Sequence, residues 1–411
     1  MANNKMARNG RFNFVGNLTF GKDIKTTTQL GEGKWYKTRA NVGVRDNQNT
    51  QFLNLEFMHE KQFDTVKIYT KDGDLVDIPN VMTTDENVMS NAADFLKIVV
   101  DVETDFEKKK EYTKLVFKKR NHEMKKEEEK TQEDRDKIVE YSAEIKEQAT
   151  NRFEFVHIKD VIDFFANNKE LMEGKKVRVS GQIKPNYYNG KTTLQYIPNF
   201  IEFVEDEVKN GLKANIDLFF DKDSIDDDTK GKKMFVNGYI WDIVKNRDTK
   251  VKEDKLMPLT VVFDYSKTDD DNADHQMLVE FVKSTFKITN KKYVHKNGMD
   301  INVVNGREME EFDESKLTDG QKMAIKLGMK KLEDFKPKGM VFGDRIQELK
   351  VVCPDLKAYP EGSQEVMPIK ELEDYLMVDY VKDEDNSTED KTGEPKQEGN
   401  NQADLMSKLF G

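Results

Sequence analysis

Alternation of apolar and polar residues dominates the first 118 positions. In RFNFVGNLTF, Phe12, Phe14, Leu18 and Phe20 bracket Gly16, and WYKTRANVGVR (35–45) and QFLNLEFMHE (51–60) alternate cleanly. A period of two marks a strand with one buried face. VKIYTKDGDLVDI carries Asp72-Gly73 between two β-rich runs, which predicts a hairpin. FLKIVVDVETDF and YTKLVFKKR add two candidate strands. Together these predict a strand-rich module over residues 1–120.

The pattern then changes. Residues 121–150 hold no Gly or Pro and are dense in helix formers, which predicts a long, exposed, charged helix. A short strand (FEFVHI) and a short helix (KDVIDFFANN) complete a helical spacer over 121–170. A second strand-rich module follows over 171–270, from KKVRVSGQIK, TTLQYIPNFIEFV, KANIDLFFD, KKMFVNGYIWDI and PLTVVFDYS. Five strands separated by turn-rich segments suit a small barrel. Residues 271–370 are mixed, with a helix expected at HQMLVEFVKSTFKI and another capped by Thr318 or Asp319. No element is assigned between Lys336 and Pro368. Residues 371–411 read as an acidic disordered tail with an apolar tip of Leu405, Met406, Leu409 and Phe410. The fold class expected is mainly β with α insertions.

Alternation also sorts each strand into two faces. Over 35–45, Tyr36, Thr38, Ala40, Val42 and Val44 form an inner set; Trp35, Lys37, Arg39 and Arg45 lie on the other face. Phe52 joins them from the next run. Over 175–184, Val177, Val179 and Ile183 face inward and Lys176, Arg178 and Lys184 outward. Cations neutralise phosphates, and interleaved aromatics offer faces on which bases stack. Tyr187 and Tyr188 sit in the turn NYYNGK and cannot both be buried there, so they join the candidate set; one Tyr packing back on the barrel is the other reading. Tyr239 and Trp241 lie opposite an aliphatic set on their strand, which reads either as a stacking surface or as packing against another element.

Charge at first argues against a polyanionic partner, because the formal net charge is -11. Its distribution changes that. Residues 1–70 carry eleven Lys/Arg against six Asp/Glu, and residues 371–411 carry four against twelve. A basic module beside an acidic tail is an asymmetry of nucleic-acid proteins and also of plain solubilising tails. One cysteine, Cys353, excludes a disulfide framework, and no run is long and apolar enough for a signal or a membrane span. The expectation is a soluble cytoplasmic protein, in a host cytoplasm if viral, with no membrane partner.

RFNFVGNLTFG followed by a basic, Trp-containing strand resembles the opening of bacterial and phage single-stranded DNA-binding proteins. GKKVRVSGQIK after a short helix resembles OB domains of the replication protein A type, and the acidic tail with its apolar tip resembles the tail by which single-stranded DNA-binding proteins dock partners. The make-up suggests a large bacteriophage member. The resemblance covers about half the chain. It implies two five-stranded OB barrels, sequence-independent binding of single-stranded DNA or RNA, and recruitment of replication or recombination proteins by the tail. The chain departs from the family in its length, its charged helix, and a tip that has Lys408 and ends in Gly411.

Enzymatic chemistry is not expected. GKTT at 190–193 lacks the Gly that a phosphate loop needs five residues earlier, where Pro185 stands. The five histidines are scattered, so no metal and no cofactor is expected. Asp226–Asp228 and Asp269–Asp271 lie in turn-rich segments and read as solvated loops. The alternative to nucleic-acid binding is a virion structural or assembly protein built from β-barrels, since fold alone does not decide function.

Overall fold

Where the sequence alternates, strands form; their pairing partners decide what they enclose. The computed structural model describes residues 10–46, 49–149, 151–246, 249–288, 290–309, 317–327, 330, 342–355 and 365–377. β1 (Arg11–Gln29) buries Phe12, Phe14, Leu18 and Phe20. It pairs antiparallel with β2 (Trp35–Arg45), and β2 pairs on its other edge with β3 (Thr50–Phe52) and β4 (Glu56–Glu60). β5 (Thr65–Tyr69) and β6 (Leu75–Pro79) form the expected hairpin, with Gly73 at φ 91°. After α1 (Glu86–Asn91) comes β7 (Ile98–Asp101).

The helical stretch differs from expectation. Two helices, α2 (Phe106–Glu123) and α3 (Gln132–Gln148), replace one long helix, and α2 takes in the YTKLVFKKR run read as a strand. The Asp105 side chain caps α2 by accepting from the Glu107 and Lys108 amides, and helix formers carry it through the short apolar run. The break before α3 is equally local: Thr131 and Asp134 form a capping box. Asp134 also accepts from Lys125 at 2.6 Å and His122 at 2.7 Å, joining the helices. These donors, Lys125 first, hold its carboxyl well below the usual range.

β8 (Arg152–Phe155) pairs with β7, and β7 runs parallel to β10 (Lys191–Phe203). α4 (Ile158–Asn167) and α5 (Lys169–Met172) precede β9 (Lys176–Tyr188), which pairs with both β10 and β1. A parallel bridge, Leu53 to Tyr196, joins the interrupted β3–β4 strand to β10. The Asn54 amide donates to the Tyr196 carbonyl there at 2.7 Å. The strands β1, β2, β3–β4, β10 and β9 therefore form a ring closed at one bridge. Gly181 is required in it, because a Cβ would lie 2.0 Å from the Ile197 carbonyl oxygen, where the β9–β10 register shifts.

A closed five-strand barrel follows. β11 (Gly211–Phe220) leads to the edge strand β12 (Ile225–Asp228), then β13 (Lys233–Lys245) and β14 (Lys252–Asp264). After α6 (Ala273–Thr285) come β15 (Tyr293–Met309), α7 (Asp319–Lys326) and β16 (Phe342–Pro354). Thr318 caps α7. β11 pairs β13, β13 pairs β14, β14 runs parallel to β16, β16 pairs β15, and β15 pairs β11. β17 (Glu365–Pro368) adds to β15, and α8 (Leu372–Tyr375) follows it. One hydrophobic core runs through both strand sets, joined where Arg11–Val15 of β1 pairs with β11.

This topology divides the strands expected to form one module over 171–270. β9 and β10 complete the first ring, while the barrel takes β15 and β16 from the region read as mixed, 271–370. Pairing is nonlocal: Asn17 meets Lys176. Periodicity names the buried face of a strand but not its neighbour. Residues 371–377 are also ordered structure rather than tail. Positions 378–411, including Leu405, Met406, Leu409 and Phe410, lie outside the described residues.

Candidate nucleic-acid interface

β2 inherits its two faces from the alternation. Thr38, Ala40, Val42 and Val44 are buried, whereas Trp35 is 48% exposed and Arg39 and Arg45 stand in solvent. Register sets what lies beside them: Trp35 faces Glu60, Lys37 faces Met58, Arg39 faces Glu56, Gly43 faces Phe52, and Arg45 faces Thr50. Phe52 is 37% exposed, and its ring edge lies 3.5 Å from where a Cβ on Gly43 would be. Glycine thus seats the ring across the neighbouring strand. Trp35 and Phe52 mark a stripe about 26 Å long, at eight residues of about 3.3 Å each.

Between and beyond these rings lie the cations. Lys37 pairs with Glu56 at 3.4 Å, and Lys34 with Glu60 at 2.6 Å. Arg39 and Arg45 have no carboxylate partner among the described residues. Such exposed pairs are worth little and exchange readily for phosphate. Met58, 67% exposed beside Lys37, escaped the sequence reading because a lone Met on an alternating strand carries no signal of its own.

The other candidates separate. Lys184 is exposed, but Lys176 is bonded to the Asp206 carbonyl and Arg178 is paired with Glu202 at 2.9 Å. Tyr187 packs on the core, while Tyr188 is 72% exposed, so the two residues divide the alternatives between them. The turn after them has Asn189 at φ 48° and Gly190 at φ 73°, a two-residue hairpin turn and not a phosphate loop.

Trp241 is not a surface platform. It is 7% exposed and packs with Phe219, Leu256, Val294, Met367 and Leu372. Its Nε1–H donates to Asp254 at 2.9 Å, and Tyr239 packs against the same cluster. The cover is the 365–377 segment: Leu376 bridges Leu256, and the Met377 amide donates to the Leu256 carbonyl at 2.9 Å. Val366, Met367, Ile369, Leu372 and Leu376 were the signal for that cover, masked by the acidic residues around them.

The acid runs serve structure. Asp227 accepts from Tyr265 at 2.9 Å and Lys283 at 2.7 Å, and Asp270 pairs with Lys232 at 2.7 Å. Among the described residues no cluster of three or more His, Cys, Asp or Glu is placed to hold a metal ion, and no helix is long and apolar enough to cross a membrane. No protein-family model matches the chain, and no curated protein does.

Proposed function

We propose that this chain binds single-stranded nucleic acid, without sequence preference, on the outer face of β2–β4. One observation carries the reading. The stripe of exposed Trp35, Arg39, Arg45 and Phe52 with half-buried Lys37 lies on the second and third strands of the first ring. In OB modules that face binds oligonucleotides. The strand order supports an OB assignment for both sets. Around each ring the sequence order is first, second, third, fifth, fourth, with a helix between the third and fourth strands: α4 in one case, α6 in the other.

The same comparison makes the two modules unequal. In the first, no segment among the described residues covers Trp35 or Arg39; in the second the 365–377 segment covers the face at Trp241. Binding is therefore assigned to the first ring, with Lys184 and Tyr188 at its rim. The acidic residues beyond 377 then serve as the tail that recruits replication or recombination proteins, and the chain itself performs no catalysis.

Gel shifts with oligothymidylate, duplex DNA and RNA test this at two salt concentrations. Neutralising about four phosphates gives a slope of about 0.7 per phosphate on single strands, so affinity falls about fifty-fold between about 50 and about 200 mM salt. Duplex binding equal to single-strand binding, or none to either, overturns the reading; the latter result leaves the assembly-protein alternative.

A further inference from the structure

The helical pair α2–α3 is electrically divided. Residues 106–126 carry nine Lys/Arg against three Asp/Glu, and residues 127–149 carry four against nine. Leu115 alone is buried in α2, so packing does not dictate what its outer rows present. One row, at spacings of four and three, reads Lys110, Lys114, Phe117, Asn121 and Met124. Phe117 is 60% exposed and Met124 72%, and neighbouring Arg120 has no side-chain partner among the described residues.

The root of this helix is fixed. Lys109 donates to the Phe203 carbonyl at 2.7 Å and pairs with Glu202 at 3.2 Å, both at the end of β10. Arg152 of β8 lies between the rings of Tyr112 and Phe200, at 4.9 and 5.1 Å. β10 is also the strand that meets Leu53, next to Phe52. A basic helix with an outward aromatic is thus rooted in the strand that borders the proposed stripe.

We propose that α2 is an arm that extends the single-strand track beyond the barrel, Lys114 and Arg120 taking phosphates and Phe117 a base. This rests on the reading above. Charge selects the occupant: a polyanion suits the basic helix and is turned away by the acidic α3 behind it. The arm sits about 27 Å long at about 1.5 Å per residue, so it engages long strands and not short ones.

The test is the intact chain carrying K114Q, F117S and R120Q together, all exposed positions, against the unmutated chain. Both are titrated with oligothymidylates of about 8 and about 30 nucleotides, the shorter within the range of one OB module. The variant keeps its affinity for the short strand. On the long strand it binds at least tenfold more weakly, and its salt slope is smaller by about 1.4, the share of two phosphates. Equal slopes and affinities for both proteins on the long strand overturn the arm while leaving the barrel site standing. Failure of the unmutated chain to bind either strand overturns the barrel site, and the arm with it.

Discussion

Alanine at both Trp35 and Phe52 should weaken oligothymidylate binding by roughly 2–6 kcal/mol, because each base–aromatic stack is worth about 1–3 kcal/mol. That is about thirty-fold at the lower bound. The fold should survive, since both rings are substantially exposed and the strand's inner set is untouched. Trp241→Phe is the internal control. Its ring lies in a closed cluster under the 365–377 segment, so the variant loses stability and keeps its affinity. Fluorescence anisotropy at fixed salt measures the first effect, and a urea melt the second. A loss below about threefold in the double variant would remove the stripe from the account.

The second large effect is on stability. Arg152 is pressed between Tyr112 and Phe200 and reaches Asp101 at 3.6 Å, beside Glu103. Asp101 is 6% exposed, and Lys109 shares it at 3.6 Å. Arg152→Leu keeps the bulk but strips Asp101 of one of its two cations. Breaking a buried pair from one side costs about 3–5 kcal/mol when the remaining charge is left alone; Lys109 still faces Asp101, so the loss falls below that range. The urea midpoint should fall accordingly. Arg152→Lys should recover part of the loss, since it restores charge without the planar stack. An unchanged midpoint in Arg152→Leu would show that the sandwich does not hold the helical pair to the sheet.

Which parts were legible follows from the physics of each signal. The β2 face could be read directly, because alternation within one strand fixes which side chains share a face. Trp35, Arg39, Arg45 and Phe52 stand in solvent as expected. The hairpins at Asp72-Gly73 and Asn189-Gly190 were equally local. Strand partnership was not. Nothing in RFNFVGN specifies the distant KVRVSGQ as its neighbour, so alternation alone groups β9 and β10 with the strands that follow them. Trp241 turns on a related limit: of its two readings the packing one holds, and its cover comes from a segment split between the mixed region and the start of the acidic tail. The break between α2 and α3 was written in Thr131 and Asp134, but helix-forming composition outweighed it.

The most direct test of the central claim uses Trp241→Phe, which leaves Trp35 as the sole tryptophan. Oligothymidylate titrated into this protein should quench its fluorescence saturably, and added salt should reverse the quench, because the proposed stacking on Trp35 depends on phosphate contacts to Arg39 and Arg45. An emission spectrum unmoved by the strand, or a quench indifferent to salt, would contradict it.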